Sequence, residues 1–535
     1  MPWTQLTNPL HKLALSALVA AIPIAFIFWA LIIKKMKGHI VCLLTALIGM
    51  LIAVFVYGMP LPLTLLSFTD GALFGLFTIC WIIMGVLFLY HITVLSGQFD
   101  IMRHFMASLT TDRRLQALLI AFAFGSFLEG AAGFGAPVAI TASMLAGLGF
   151  NPLYAAGICL IANTAPVAFG SIGIPITVAS QVSGLPEMAI SKMVGKTLPL
   201  LSLLLPFYLV YITAGRKKIK EVWPAILVAG VSFALVQFIT ANYISPMLPD
   251  VLSGLTTIVA LIVLLKYWQP KTNPLPVPVD TPRYTRSRII RAWSPFLIMT
   301  LLVVCWGIPT TKEYLNSIGQ FKVMLPGLNN AILQADGTPL LIKPFTFSWL
   351  SNAGTAALIA ALLSMPLIGA NTAIAIKACR LTFHQLRLPA LTIASIMGFA
   401  YIVNNSGMSI TMALALATTG SFFPFCSPIL GWLGVFLTGS DTSSNALFCK
   451  LQYNSALAIG IDPSITVAAN VSGGVTGKMI SPQSIAIGAT AVGLVGKEAD
   501  LFRFTVKHSF IMLLIVCILT TLQAYAAHLL NIFGL

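Results

Sequence analysis

Runs of about 20 predominantly apolar residues recur along the whole chain, and they constrain its fold more than any other feature. Each run is long enough to cross the hydrocarbon core of a bilayer as a helix. Only 8% of the 535 residues are charged, whereas soluble globular proteins have about 25%. The sequence therefore predicts an all-α, polytopic membrane protein in which no segment forms a separate soluble domain.

The formal net charge of +16 would suggest nucleic acid as a partner in a soluble protein. Here the basic residues fall in short loops between apolar runs, so the positive-inside rule is the better interpretation and no nucleic acid is expected. The eight cysteines form no CxxC pair and lie mostly in apolar runs. They are expected to behave as small hydrophobic residues, so we predict no disulfide, no metal site and no other cofactor.

Twelve full spans can be drawn, together with two apolar units that do not fit as spans. The spans are 13–33, 39–58, 72–95, 152–180, 193–213, 222–243, 249–267, 292–309, 349–369, 389–418, 458–488 and 506–530. The other units, 115–149 and 421–455, each have two apolar arms around a Gly/Ser-rich break. Irregular backbone at membrane depth is tolerated only where it is buried in protein or lines a cavity. Both units are therefore predicted to be re-entrant hairpins.

The distribution of Lys and Arg predicts that the N-terminus and the C-terminus both lie outside. In this orientation 22 basic residues fall in cytoplasmic segments and 7 in outer segments. Residues 268–291 are rich in proline and arginine and are the expected cytoplasmic linker between a first half, 1–267, and a second half, 292–535. Contact with lipid headgroups is the alternative role of this segment.

Glu129 is the only charged residue between Leu115 and Ile176. A charge in such a run costs about 2.5–3.5 kcal/mol on insertion scales. Several glycines and Pro137 follow it, which a continuous helix would not favour. Asp441 is a second acid among small residues in the other predicted hairpin. A buried acid at a helix break is typical of an ion or substrate site in a secondary transporter.

The sequence after each acid repeats. The motif Gly-φ-[Asn/Asp]-Pro, in which φ is an apolar residue, occurs at 149–152 and 460–463, and A-N-x6-G-x4-P begins at Ala162 and at Ala469. In the predicted topology the Glu129 hairpin enters from the cytoplasm and the Asp441 hairpin from outside, so the repeats are inverted. Inverted repeats with broken helices predict alternating access by movement of one unit past a scaffold.

The N-termini of half-helices inside the membrane would bind a carboxylate, because each has roughly half a positive charge and unpaired N–H groups. Such ends are predicted after Gly133 and after Ser440, with neutral donors nearby. The candidate substrate-binding residues are Gly133, Gly135, Asn163, Thr164, Ser440, Thr442, Ser443, Asn470, Ser472 and Lys478. This set suits a small hydroxy-acid anion.

Glu129 and Asp441 are the candidate proton-coupling residues. An ionised acid repels an anion, and burial disfavours the ionised form of a carboxyl group. Protonation would remove the repulsion and let a proton and an anion bind together. Symport of one H⁺ with one monovalent anion would carry no net charge across the membrane.

Each candidate also has a structural interpretation. Asp441 could cap a helix, and the glycines near Glu129 could serve close helix packing. Asn163 and Asn470 could form interhelical hydrogen bonds without any ligand. Lys478, the one basic residue inside a predicted span, could pair with the substrate, pair with an acid, or extend to the membrane interface.

Three motifs resemble the lactate permease family: GSFLEGAAGFGAPVAI at 125–140, ANTAPVAFGSIGIP at 162–175 and TGSDTSSNALF at 438–448. The length and the pattern of spans match too, so the resemblance covers essentially the whole chain. It implies proton-coupled uptake of L-lactate, and of D-lactate and glycolate, across the inner (plasma) membrane of a bacterium. It also implies kinship with ion transporters that have paired hairpins and an elevator-type movement.

Other classes of protein fit the sequence less well. A Na⁺-coupled carboxylate or dicarboxylate carrier of the same architecture is the nearest alternative, and Na⁺ dependence of uptake would separate the two. An enzyme would need a nucleophile with its base, or a metal set, within the spans, and no such motif is found. The expected partners are a small monocarboxylate anion, H⁺ and the lipid bilayer, and association into a homo-oligomer is left open.

Overall fold

The apolar runs form helices throughout the part of the chain that the computed structural model describes, which is residues 2–133, 135–271, 282, 284–328, 330–340, 342 and 344–533. A helix satisfies its own backbone hydrogen bonds, as a membrane requires. The helices of the first half are α1 (Leu13–Phe28), α2 (Gly38–Phe55), α3 (Leu61–Leu73), α4 (Cys80–Leu95), α5 (Gln98–Ser108), α6 (Arg113–Gln116), α7 (Gly125–Ala131), α8 (Ala136–Gly147), α9 (Pro152–Ala162), α10 (Gly170–Ser183), α11 (Glu187–Ala214), α12 (Arg216–Ile239) and α13 (Pro249–Tyr267).

The second half has a similar series of helices and most of the short strands. Its helices are α14 (Arg286–Gly307), α15 (Pro309–Gly319), α16 (Ala353–Ile368), α17 (Thr372–Ser406), α18 (Met408–Ala417), α19 (Phe423–Thr438), α20 (Asp441–Ile459), α21 (Pro463–Lys478), α22 (Pro482–Ala491) and α23 (Glu498–Phe533). The strands are β1 (Trp3–Thr4), β2 (Gln320–Val323), β3 (Ile332–Leu333) and β4 (Phe345–Ser348). Turns of π-helix occupy Trp29–Ile33, Phe74–Ile79, Ala117–Phe124 and Thr240–Ile244, and 3₁₀ turns occupy Val167–Phe169 and Gly420–Phe422.

Among the described residues, 11 helices are long and apolar enough to cross a membrane, or 12 if the bent pair Pro152–Ala162 and Val167–Ser183 is one span. This confirms the expected polytopic helical chain with about 12 spans. The membership of the set differs from the prediction. Arg113–Ala131 and Gly420–Thr438 pass as spans although they lie in predicted hairpins, whereas the predicted span 458–488 is divided between α21 and α22.

Two helices are longer than the sequence predicted. Leu61–Leu95, which runs from α3 through the π-helical segment to α4, and α17 each have 35 residues. Spans had been expected only over 72–95 and 389–418. The helix α17 ends at Gly407, whose φ of 90° lies in the left-handed region, so the chain turns there into α18. The two long helices pack against each other.

The repeated motif Gly-φ-[Asn/Asp]-Pro has the same local structure in both halves. Gly149 and Gly460 have φ of 82° and 74°, and the proline is the first residue of α9 and of α21. Asn151 caps α9, and its side chain accepts a hydrogen bond from the N–H of Leu153 at 3.0 Å. Asp462 caps α21 in the same way, since its side chain accepts from the N–H of Ser464 at 2.9 Å.

Strand pairing places the N-terminus beside the segment that follows α15. The strand β1 pairs in parallel with β3, and β2 pairs antiparallel with β4. The chain therefore begins α1 at the face where α14 and α15 end. The pairing joins segments that the charge distribution had placed on one side, and the inverted relation between the halves stays a prediction.

Ionic contacts join segments that the charge distribution had placed together on the other side. The buried Arg114 guanidinium lies 2.6 Å from the carboxylate of Asp112 and 2.6 Å from that of Glu221. Lys218 completes the group at 3.0 Å from Glu221. The base of the first predicted hairpin is thus tied to the start of α12.

Much of the predicted linker 268–291, namely residues 272–281 and Arg283, lies outside the described residues. The helix α14 begins at Arg286, so the last six residues of that range are helical and do not belong to an extended connection. The hydroxyl of Thr285 caps this helix by accepting a hydrogen bond from the N–H of Arg288 at 3.4 Å.

Close backbone contact positions α19 against α21. A Cβ atom at Gly473 would lie 2.0 Å from the carbonyl oxygen of Pro428, and one at Gly431 would lie 1.9 Å from that of Asn470. Only glycine allows two helices to approach this closely. This packing holds one arm of the second predicted hairpin against the helix that carries Lys478.

Candidate functional site

Four interruptions of helices meet at one small cavity. They lie between α7 and α8, within the start of α10, between α19 and α20, and between α21 and α22. The cavity has a volume of about 80 Å³. It is lined by Glu129, Gly135, Val167, Gly170, Ser171, Ile174, Pro175, Gly439, Ser440, Asp441, Thr442, Lys478, Gln483, Ser484 and Ile487. Residues from both halves of the chain therefore form its wall.

The first break follows Glu129. Gly133 and Gly135 have φ of 61° and 81°, which is backbone that glycine adopts without strain. A Cβ at Gly135 would also lie 2.5 Å from the side chain of Ile487. The glycines thus let α7 end near the cavity and let α8 start again at Ala136.

The second predicted hairpin is interrupted at Gly439 and Ser440. Gly439 has φ of 69°, and the Ser440 hydroxyl caps α20 by accepting from the N–H of Ser443 at 3.3 Å. Asp441 is the first residue of α20 and does not serve as its cap. Its carboxylate lies at the positive end of the helix dipole, where a negative charge is stabilised.

The two broken helices supply the remaining wall of the cavity. In α10, Ser171 and Ile172 have φ of 48° and 57°, which costs a residue with a Cβ about 1–3 kcal/mol. The equivalent break in the second half follows Lys478, at the position that aligns with Ser171. The A-N-x6-G-x4-P repeat therefore marks an interruption of a helix beside the cavity in both halves.

An ion pair lies inside the cavity and joins the two halves. The Lys478 ammonium donates to Glu129 Oε1 at 2.6 Å, and the Asn163 amide donates to Glu129 Oε2 at 3.0 Å. Glu129 is only 3% exposed, and the Lys478 side chain is 12% exposed. Of the three roles left open for Lys478, the geometry corresponds to pairing with an acid.

Asp441 accepts a hydrogen bond from one side-chain amide, and no cation among the described residues lies within ion-pair distance of it. Its Oδ2 accepts from Asn445 Nδ2 at 3.3 Å, while its Oδ1 is buried and has no hydrogen-bond partner among the described residues. Asn470 donates to Asn445 Oδ1 at 2.9 Å. Each repeated asparagine is therefore linked to the acid of its own half, Asn163 directly and Asn470 through Asn445.

The structure brings half of the predicted residues to the cavity wall. Those that line it are Glu129, Gly135, Ser440, Asp441, Thr442 and Lys478. Four other candidates lie just behind the wall. Gly133 is next to Ser171. The other three form the hydrogen bonds described above, namely Asn163, Ser443 and Asn470. Thr164 and Ser472 are buried hydroxyls without a hydrogen-bond partner in the described part of the chain.

Several polar residues near the cavity were not predicted. Ser171, Gln483 and Ser484 line it, and they were missed because neither serine nor glutamine marks a binding site by its residue type alone. Asp250 was missed because it follows a proline at a helix start, where an acid is expected on local grounds. It is 1% exposed, and an added Cβ at Gly130 would lie 2.8 Å from its own Cβ.

Asp250 adds a second buried acid behind Glu129. Neither of its carboxyl oxygens has a hydrogen-bond partner among the described residues, and it lies within electrostatic reach of Glu129 and Lys478. Within the described ranges, no group of three or more His, Cys, Asp or Glu side chains is arranged to hold a metal ion. The chemistry available at the cavity is therefore that of carboxyl groups, one ammonium group, amides, hydroxyls and helix N-termini.

Comparison with known proteins gives a consistent result over nearly the full length. A family model described as L-lactate permease matches residues 16–527. The L-lactate permease of Bacillus subtilis (strain 168) is 55% identical, with 98% of this chain and 98% of that protein covered. Glycolate permease GlcA of Escherichia coli (strain K12) is 50% identical with the same coverage. The crystal structure of the Alcanivorax borkumensis YdaH transporter has a TM-score of 0.46 and 14% identity, with 86% of this chain and 87% of that chain covered.

Proposed function

Because the chain belongs to the L-lactate permease family, we propose that it takes up L-lactate, and also D-lactate and glycolate, together with H⁺. Similar proteins named for lactate and for glycolate support this range of substrates. The expected location is the bacterial inner membrane, with both termini outside. The protein is a multi-pass membrane protein, and this proposal assigns it a transport role in place of an enzymatic one.

The ion pair between Lys478 and Glu129 is the observation that carries the proposal. An incoming carboxylate is attracted to the Lys478 ammonium and competes with Glu129 for it. When a proton binds to Glu129 at the same time, the substrate takes the place of the Glu129 carboxylate beside Lys478. The cavity has the same net charge before and after this exchange.

The cost of breaking a buried ion pair explains why the proton and the anion would bind together. Removing one partner of such a pair costs about 3–5 kcal/mol, because the other charge is left buried without compensation. A proton alone would leave Lys478 unpaired, and an anion alone would leave Glu129 ionised without its cation. Binding both avoids both penalties. Of the candidate substrate-binding residues, Lys478 is thus the one proposed to bind the substrate carboxylate.

The other groups of the cavity suit a hydroxy acid. The N-terminus of α20 and the hydroxyls of Ser440 and Thr442 offer donors beside Lys478. The amide of Gln483 can both donate to and accept from a substrate hydroxyl. A water molecule needs roughly 10–15 Å³ of cavity volume. The cavity volume of about 80 Å³ therefore holds about five to eight atoms of the size of a water oxygen. An anion of three carbons and three oxygens fits this range.

The arrangement of helices supports transport by alternating access. We assign the scaffold to the 35-residue helices Leu61–Leu95 and α17, and the moving unit to the two hairpins with the broken helices α9–α10 and α21–α22. In this proposal residues 115–149 and 421–455 are re-entrant hairpins whose tips close the cavity from opposite sides. Movement of this unit past the scaffold is an elevator-type mechanism.

Lactate uptake into proteoliposomes under an imposed pH gradient tests the proposal. An inward-directed H⁺ gradient should drive accumulation of lactate, and Na⁺ should have no effect. A membrane potential alone should not drive accumulation, because the transported pair of H⁺ and lactate is neutral. Glu129→Gln is uncharged in every state and should lose pH-driven accumulation while keeping exchange of internal for external lactate. Glu313→Gln, at an exposed site outside the cavity, is the matched control and should behave as wild type.

One result would contradict the coupling to H⁺, and another would contradict the role of the ion pair. Wild-type uptake that ignores the pH gradient but requires Na⁺ would support the Na⁺-coupled alternative. Full coupling in Glu129→Gln would remove the ion pair from the coupling mechanism.

A further inference from the structure

A second, larger cavity lies on the face that carries the N-terminus and the strands. Its volume is about 580 Å³, which is in the usual range for small-molecule sites. Its wall includes α3 and α17 of the assigned scaffold, the outer part of α10, and the segment around β4. We call this cavity the outer vestibule. Its described charged lining residues are Asp70, Glu187, Lys312 and Lys450.

Lys450 is the partly buried cation of the outer vestibule. Its ammonium makes one long hydrogen bond, of 3.5 Å, to the carbonyl oxygen of Ser183, and it lies 4.5 Å from the centre of the Tyr453 ring. No carboxylate among the described residues lies within ion-pair distance of it. An ammonium group has three N–H donors, so Lys450 keeps donors that the described residues do not use, and it lines the vestibule.

Asp70 is the buried acid of the same vestibule. It is 5% exposed, and no hydrogen bond or ion pair to its carboxyl group is found in the described part of the chain. It lies on α3, within electrostatic reach of Tyr401 on α17. The hydroxyl of Tyr401 accepts from the Gln181 amide at 2.7 Å, so the acid sits where the scaffold meets α10.

Two helices connect the outer vestibule to the inner cavity. On α10, Pro175 lines the inner cavity and Ser180 lines the vestibule. On α20, Asp441 lines the inner cavity, and Lys450, nine residues later, lines the vestibule. These helices pack against each other, and nine residues span about 13.5 Å at 1.5 Å per residue. The vestibule is therefore adjacent to the inner cavity along a shared wall.

We propose that the outer vestibule is a second binding site for small organic monoanions, through which the substrate reaches the inner cavity. Lys450 binds the carboxylate there, and Asp70 repels a further negative charge, so that monocarboxylates are admitted and dicarboxylates are rejected. This proposal rests on the transport of monocarboxylates proposed above. It adds a site and a basis for selectivity, neither of which depends on the coupling ion.

Replacement of Lys450 tests the binding role. In right-side-out membrane vesicles, Lys450→Gln should raise the KM for lactate roughly fivefold, as expected for loss of a partly solvated charge contact, with the maximal rate nearly unchanged. Lys450→Arg retains the charge and should restore the KM. Lys192→Gln, an exposed lysine outside the vestibule, is the matched control. An unchanged KM in Lys450→Gln, or a lowered maximal rate with an unchanged KM, would overturn the proposal.

Replacement of Asp70 tests the selectivity. Succinate should inhibit lactate uptake weakly in the wild type and several-fold more strongly in Asp70→Asn, while the KM for lactate changes little. Glu313→Gln removes a control acid, and succinate should inhibit lactate uptake by this variant as weakly as it inhibits uptake by the wild type. Equal inhibition of wild type and Asp70→Asn would overturn the selectivity.

These outcomes separate the second site from the transport function. Absence of lactate uptake by the wild type would count against the function, whereas normal wild-type uptake with unaltered Lys450 and Asp70 variants would count against the vestibule alone.

Discussion

Single residues determine the electrostatics of the inner cavity. Glu129 and Lys478 are 349 positions apart in the chain and meet at 2.6 Å in surroundings that exclude most water. A buried pair of this kind contributes little net stability, but removal of one partner is costly. The pair is therefore suited to an exchange in which other charged partners take over.

Loss of Lys478 should be more harmful than loss of both partners. Lys478→Gln leaves Glu129 without its cation and should destabilise the protein by about 3–5 kcal/mol. The double variant Glu129→Gln/Lys478→Gln should recover most of the unfolding temperature in detergent but no pH-driven uptake. A double variant as unstable as Lys478→Gln would show that the ion pair does not account for the loss.

Asp441 should differ from Glu129 in its role. It lies at the N-terminus of α20 and accepts from Asn445, with no ammonium or guanidinium at ion-pair distance in the described residues. Asp441→Asn is thus expected to change the KM for lactate while leaving accumulation driven by the pH gradient intact. If Asp441→Asn abolishes accumulation but retains lactate exchange, the coupled proton belongs to Asp441.

At the scale of elements, interruptions of helices build the site. The helices are interrupted after Glu129 and before Asp441, so helix ends lie at the cavity. Close packing of α19 on α21 holds the second of these interruptions in place. In a continuous helix the backbone N–H groups at this depth would all form hydrogen bonds within the helix, and none would be available to an anion.

Addition of one methyl group should test the packing of α19 on α21. In Gly473→Ala the new Cβ would lie 2.0 Å from the carbonyl oxygen of Pro428, so we expect a loss of about 1–3 kcal/mol and reduced uptake. Gly147→Ala, at the end of α8 with no neighbour within 4 Å, should be close to neutral. Thermal unfolding in detergent compares them, and equal stability of the two variants would refute the packing role.

At the scale of the whole molecule, contacts between distant segments sort the chain into two faces. The strand pair β1–β3 defines one face, and the Arg114 ion-pair group defines the other. Each half contributes one of the two 35-residue helices, and these helices pack against each other. The predicted orientation places the Arg114 face in the cytoplasm.

A native cysteine can test this orientation. Cys379 is exposed and lies between Lys377 and Arg380 near the start of α17, in a segment predicted to be cytoplasmic. A membrane-impermeant maleimide should label it in inside-out vesicles and not in right-side-out vesicles. Glu313→Cys in a Cys379→Ser background should show the opposite pattern, and labelling of Cys379 from outside would invert the topology.

The resemblance to the family, a mostly helical membrane fold and about 12 spans were predicted from local patterns of residues, and they are confirmed. The four short strands correct the prediction of an all-α chain. The two acids, the glycine breaks and the repeat also stood in the sequence, since each depends on residues close together in the chain. The span boundaries were less accurate at Leu61 and Thr372, because tertiary contacts stabilise helices beyond their most apolar part.

The sequence by itself determined that the chain crosses the membrane many times and carries two acids at helix breaks, because hydropathy and backbone preference act locally. Only the tertiary structure decided that Lys478 pairs with Glu129, that Asp250 lies behind them, and that four helix breaks meet at one cavity. Such contacts depend on how helices far apart in the chain pack in space. Local periodicity holds no information about that choice of partner.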